Sequence, residues 1–349
     1  MIDVVALTAG ANTPSARFRV RQHVDPLAGH GVAVREYVPA IDTYAAVPGW
    51  PKRWRQRYSL PLYLPWQGVK LSTRLPGIYN SWTADVTWLQ RPMLPGWLSL
   101  EPLLGRPLVF DVDDAVWLNP PLGRLVASRM AAIADVVVVG NAHLADWFDA
   151  PGRRVEIVPT AVDSTRFAPG PDRAGDAFVV GWTGSASTLP YLEGIEPEIA
   201  PFFARHDEAR IRVVADRAPR FTQISGRQVD FVAWEPAVEA TALQPLDVGL
   251  MPLPDTRWTR GKCSFKMLQY LSTGVPAIVS PVGLNADILD MAEVGVGVTD
   301  GGWDEALEQF YRDRAWAEKL GAAGRQLVEE RFSTRVVSDS LAAIFASLT

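Results

Sequence analysis

Short runs of apolar, largely β-branched residues recur along the chain and alternate with longer stretches that carry helical patterns. In the first half these runs are 4–7, 32–37, 86–89, 108–111, 136–139 and 155–158. A second series covers 178–182, 211–214, 229–232, 248–251, 277–280 and 297–299. Strands alternating with helices predict an α/β fold built on parallel sheets. Between the two series, "TAVDSTRFAPGPDRAGDA" (160–177) breaks the pattern with Pro, Gly and charge, as a linker does. Two six-strand units joined this way predict two Rossmann-like domains, 1–165 and 176–330, facing an interdomain cleft. Ligands in such sheets bind beyond the C-terminal strand ends. The tail from Glu305 reads as two or three helices broken near 321–324 and 332–333. Its last piece, 331–349, is expected to pack back on the first domain.

Composition narrows the function. The 349 residues are 48% apolar and 21% charged, which describes a soluble globular protein with room for two domains. A net charge of −5 argues against a nucleic-acid partner. The lone Cys263 excludes an intramolecular disulfide framework and a Cys-rich zinc site. His23, His30, His143 and His206 lack ligand spacing, so no metal is expected. "MIDVVALTAGA" reads as a first strand and not as a signal peptide. No uncharged apolar stretch approaches the ~20 residues of a spanning helix. A cytoplasmic protein is expected. Against that background, "GWPKRWRQRYSLPLYLPW" (49–66) mixes Trp with Lys and Arg. That composition suits peripheral contact with a membrane interface or a lipid-linked ligand; its prolines favour an irregular surface loop.

Candidate chemistry gathers in four places. In "GKCSFKMLQYLSTGVPAIVSPVG" (261–283), Lys262, Lys266 and Gln269 are spaced i, i+4, i+7, one face of a helix. Taken alone, that spacing also describes a solvated face. "FDVDDAVW" ends a strand in Asp111, Asp113 and Asp114, clustered carboxylates that should raise one another's pKa, although Asp111 or Asp114 could instead cap a loop. "TAGANTPSARFRVRQ" offers Gly10, Asn12 and Arg17, with Arg17 and Arg21 on one helical face, either for an acceptor phosphate or as a surface salt-bridge face. "GWTGSAST" and "FVAWEP" place Gly184, Ser185 and Trp234 after strands of the second series.

Taken in order, these strings resemble the GT-B glycosyltransferases, specifically those of retaining family 4. The likeness runs over nearly the whole chain, through "SARFRVRQHVDPLAGHGVAV", "RPLVFDVDDAVW", "ADVVVVGNAHLADWF", "VEIVPTAVDSTRF", "FVVGWTGSASTLPYL", "DVGLMPLPD" and the segment 261–283. The resemblance implies a nucleotide-sugar donor held by the C-terminal domain, a hydroxyl acceptor held by the N-terminal one, and no cofactor or metal. The acceptor would be a glycan, a lipid-linked sugar or a small natural product. The helix of 261–283 would border the donor, with Gln269 at the nucleotide and Trp234 either stacked on the base or part of the core. Family 4 carries two glutamates eight residues apart here; counting back from Gly274, their places hold Gly261 and Gln269. The diphosphate loop, which in the family brings an Arg and a Lys, has only Gly184, Ser185 and neighbouring small residues. Lys262 and Lys266 are then the substitute cations, because a departing diphosphate needs fixed positive charge nearby. Asp113 aligns with a polar family position near the reacting sugar. With Asp114 beside it, it would orient the acceptor hydroxyl, take its proton or stabilise an oxocarbenium-like state. The expected activity is retaining, metal-independent glycosyl transfer. Nucleotide-sugar epimerisation or hydrolysis is one alternative, and a catalytically silent GT-B binding protein, suggested by the missing glutamates, is another.

Overall fold

The computed structural model describes residues 1–48, 60–171, 177–299 and 301–349. The chain divides into two compact units, 1–161 with 337–349, and 162–336. The first begins β1 (Ile2–Leu7), α1 (Pro14–Arg19), α2 (Val24–Gly29), β2 (Val32–Tyr37), α3 (Leu60–Ser72), α4 (Leu75–Ser81) and β3 (Val86–Gln90). It continues through β4 (Leu108–Val112), α5 (Gly123–Ile133), β5 (Val136–Val139), α6 (Ala142–Phe148) and β6 (Val155–Ile157). The strands form one parallel sheet in the order β2-β1-β3-β4-β5-β6. Every residue of β3, β4 and β5 is buried, which is why their runs are mostly apolar instead of alternating, with Thr87, Gln90 and Asp111 the polar exceptions.

The second unit starts with β7 (Val179–Thr183), α7 (Leu189–Gly194), α8 (Glu196–Arg205), β8 (Arg210–Ala215), β9 (Val229–Ala233) and β10 (Val248–Met251). Then come α9 (Arg257–Arg260), α10 (Phe265–Ser272), β11 (Ala277–Val279), α11 (Leu284–Met291), β12 (Gly295–Gly297), α12 (Trp303–Arg312) and α13 (Arg314–Leu327). Its parallel sheet has the order β12-β11-β10-β7-β8-β9, the doubly wound Rossmann arrangement. After a wide π-helical turn, Val328–Phe332, the chain enters α14 (Thr334–Ala346) and returns to the first unit. Val337, Leu341, Ile344 and Phe345 join the core beneath β1, β3, β4 and β5, with the Phe345 ring 5.3 Å from Trp88. Buried His23 hydrogen-bonds Ser338 at 2.8 Å and pins the same helix.

Eleven of the twelve apolar runs coincide with strands; the last strand is Gly295–Gly297, so the run 297–299 meets it only at Gly297. Three local expectations fail. The first part of 160–177 is packed and not a free linker. Val162 and Phe167 are buried in the second unit's core, and the Asp163 carboxylate accepts the Thr165 and Arg166 amides. Gly321 and Gly324 do not break a helix. They lie inside α13 at contact points, where an added Cβ would meet the Gly274 carbonyl oxygen at 2.0 Å and a Leu271 methyl at 2.6 Å. Close packing, and not a turn, requires glycine there. Finally, α10 begins only at Phe265, after Ser264 in the left-handed region (φ 51°), so Lys262 precedes the helix and does not share its face with Lys266 and Gln269. The Trp-rich basic stretch falls largely on 49–59, outside the described residues. No helix among the described residues is long and apolar enough to cross a membrane.

Candidate functional site

In each sheet the strand order reverses once, and a crevice opens there beyond the strand ends. In the second unit the crevice lies between β7 and β10. Those strands pair only at Val180–Val248 and Gly181–Gly249. Past that point the Tyr270 hydroxyl takes over. It accepts the Thr183 amide at 2.9 Å and donates to the Leu250 carbonyl at 3.2 Å. Gly249 permits this, since a Cβ there would sit 2.3 Å from the Tyr270 ring. One tyrosine thus fixes α10 across the opening between two strand ends.

Lys266 stands one turn earlier on α10, as the second residue of the helix, where backbone amides point outward and the helix dipole is positive. Its ammonium lies 5.6 Å from the centre of the Trp182 ring. That ring also crowds Gly184, where a Cβ would come within 2.4 Å, so Lys266 and the loop after β7 meet at one indole. Burial, with repulsion from Lys262, pushes the Lys266 amine down to about 8. No carboxylate pairs with it among the described residues. Lys262 sits 5.7 Å from the centre of the Trp258 ring. Gln269 is buried and donates to the Glu239 carboxylate at 3.2 Å. In the loop, Ser185 Oγ lies 2.7 Å from Ser187 Oγ, and the Ala186 amide donates to Asp216 at 2.5 Å. Trp234 directly follows the edge strand β9, two strands from the crevice, and is 37% exposed.

In the first unit the crevice lies between β1 and β3. The carboxylates that end β4 are matched to two arginines. Asp111 accepts Arg19 Nε at 2.9 Å and Trp88 Nε1 at 3.1 Å, all buried. Arg91 donates to Asp113 at 2.5 Å, to Asp114, and to the Tyr44 hydroxyl at 3.0 Å. The expectation that the three acids raise one another holds for Asp111, which Asp113 helps to raise, and is corrected for Asp113. Burial, countered by Arg19 and reinforced by Asp113, leaves Asp111 raised. Burial also pushes Asp113 upward, but Arg91 outweighs it and holds Asp113 below the usual carboxylate range. Gly10 lies against Asp42, whose Oδ2 would be 1.9 Å from an added Cβ. Asn12 is exposed. Arg17 lies over the Phe18 ring, 4.1 Å from its centre, while Arg21 makes a bidentate pair with Glu36, so the two do not act as one cationic face. A cavity of about 290 Å³ opens beside β2, lined by Tyr37, Ser72 and Arg74 among others and by none of the aspartates.

No protein-family model matches the sequence, and no curated protein matches it. Solved structures match along its whole length. A sucrose-phosphate synthase from Thermosynechococcus elongatus superposes with a TM-score of 0.73 at 16% identity, covering 100% of this chain and 99% of that one. The fold is GT-B. A glycosyltransferase from Rickettsia africae gives a TM-score of 0.68 at 11% identity, over 99% and 98% of the two chains. Anabaena HepE in complex with UDP gives 0.63 at 13% identity, over 99% and 100%. Within this GT-B chain, the parts that sequence reasoning missed are Arg19, Arg91, Trp182 and Tyr270. Tyr270 had a signal, because Gly249 inside "DVGLM" marks a close approach to a strand. Arg91 had none. It adopts a left-handed backbone (φ 63°) immediately before Pro92, a position biased toward extended conformations.

Proposed function

We propose that this protein is a nucleotide-sugar-dependent glycosyltransferase, with the donor on the second unit and the acceptor on the first. The observation that carries the reading is Lys266, an ammonium without a carboxylate partner among the described residues, held by α10 beside the β7–β10 crevice. An anion placed there gains a full cation, outward-facing helix amides and the hydroxyls of Ser185 and Ser187. A nucleoside diphosphate has that charge, and it becomes more negative as the glycosidic bond breaks. The HepE structures hold UDP, glucose and UDP-glucose, which makes uridine the first base to test. Gly184 and Trp182 shape the loop side, and Lys262 adds charge before the helix. Trp234 offers an exposed indole for stacking on the base. Gln269 acts through Glu239 or, if that bond opens, on the ribose.

On the acceptor side, Asp113 is held ionised by Arg91. It therefore accepts hydrogen bonds, orients a hydroxyl and stabilises positive charge developing on the sugar, while being a weak base. Retention without a metal fits this arrangement, since the acids beside the acceptor are neutralised by guanidinium groups. Gly10, Asn12 and Arg17 flank the same strand ends.

Melting curves with UDP, GDP, ADP and dTDP, followed by product analysis with the matching donors, test the reading. A ligand at about a hundred times its Kd adds roughly 2.7 kcal/mol of stability. Lys266→Glu should abolish that gain and the transfer. A variant that keeps both overturns the assignment of Lys266. A silent binding protein is the second reading, favoured by the engagement of Gln269 with Glu239. Nucleotide binding without turnover of any donor would select it.

A further inference from the structure

We infer that Gln90 and Ser15 form a hydroxyl-binding subsite at the strand ends of the first unit. Given the glycosyltransferase reading, on which this rests, the acceptor then meets the chain through a neutral sugar or polyol. Gln90 is the last residue of β3, one of the two strands that border the first unit's crevice. It is 1% exposed, yet neither its Oε1 nor its Nε2 has a hydrogen-bond partner among the described residues. A buried carboxamide in that state costs stability, and an apolar side chain would serve the core better. Such a group is retained for what it can bind.

Register sets where this amide lies. Gln90 pairs with Asp111 across β3 and β4, so the two side chains leave the sheet on one face. Trp88, two residues earlier on β3, confirms that face by donating to Asp111. Arg19 of α1 reaches the same carboxylate at 2.9 Å. Ser15 stands one turn before Arg19 on α1, which runs back from the loop after β1, so its hydroxyl is nearer the strand ends. Ser15 is 7% exposed, and its Oγ also lacks a partner among the described residues. Two neutral groups, each able to donate and to accept, are thus left open on one face of the site. The charges alongside decide what they bind. Asp111, Asp113 and Asp114 outnumber Arg19 and Arg91, which pair with them, so a phosphate or carboxylate would meet excess negative charge there. A hydroxyl brings no charge and, like the carboxamide, gives one hydrogen bond and takes another. Adjacent hydroxyls on a sugar ring match both ends of the Gln90 amide.

Saturation-transfer NMR of the full chain with glucose, mannose and myo-inositol, and with glucose 1-phosphate for comparison, tests this. At least one neutral polyol should bind the parent, and glucose 1-phosphate should bind no more tightly than glucose. Gln90→Met, which fills similar space without polar ends, should weaken that polyol about tenfold and leave the melting temperature at or above the parent's. Ser15→Ala, made separately, should weaken it about threefold. The subsite is overturned if no neutral polyol binds the parent, if the phosphate binds more tightly, or if both variants keep the parent's affinity. A marked loss of stability in Gln90→Met also overturns it, since the amide would then have a structural partner such as a buried water. Melting curves with UDP, run in parallel, report on the donor reading by itself: polyol binding without a UDP shift would fail that reading and leave the subsite in place.

Discussion

Two strand-end sites in one chain handle buried charge in opposite ways. In the first unit each buried Lys and Arg among the described residues has found an oxygen. Arg19 meets Asp111, Arg91 meets Asp113 and Asp114, Lys70 donates to the Thr43 carbonyl at 2.8 Å, and Arg74 donates to the Thr8 carbonyl and the Thr43 hydroxyl. In the second unit Lys266 has no such partner among the described residues and lies over an indole and beside a helix N-terminus. A closed set of pairs holds geometry and resists change. An open cation costs stability until an anion arrives, which is the property a donor site needs.

The largest effect should come from opening the closed set. Arg91→Leu leaves Asp113 and Asp114 without their guanidinium, at a cost of about 3–5 kcal/mol in urea unfolding at neutral pH. Asp113 is depressed in the fold, so its contribution is present above its unfolded value and lost as pH falls through the folded one. Acidification should therefore narrow the gap between variant and parent. A gap that stays constant with pH would show that Arg91 acts by packing alone.

Forcing charge into the first unit is the next test. Burial, helped by Arg19, lowers the His23 pKa from 6.5 to about 3. The folded state holds it neutral, so the stability tied to it is complete above pH 6.5 and declines as pH drops toward 3. By pH 4 the loss reaches about 3 kcal/mol, at 1.36 kcal/mol per unit. His23→Gln should remove this slope from the pH dependence of unfolding; an unchanged slope would assign it to other groups.

Lys266→Met should behave in the opposite sense to Arg91→Leu. Removing a desolvated, unpartnered ammonium is expected to raise stability by about 1–3 kcal/mol while weakening nucleoside diphosphates roughly ten- to a hundredfold. A destabilised variant would mean that the amine has a partner in the free protein. The smallest effect is a pH profile. With the amine at about 8, diphosphate affinity should hold below that pH and fall above it, by up to about tenfold per unit, as proton uptake accompanies binding. Titration calorimetry in buffers of different ionisation heat reads that proton directly.

The sequence by itself located eleven of the twelve strands, the parallel sheets and the returning last helix, because buried parallel strands are largely apolar and their run lengths are fixed locally. It also placed Asp113 and Gly184 just past strand ends and Lys266 on a helix, since that follows from counting residues. Tertiary structure alone decided which charges close on one another. Arg91 reaches two aspartates more than twenty residues away from a backbone conformation its own neighbours disfavour. Gly321 and Gly324 read as breaks until α13 shows them pressed against the segment around Gly274 and Leu271. Pairing energies and close contacts depend on distances in space, which spacing along a chain does not encode. Hydrophobic period is a property of neighbours in sequence and could be read at once.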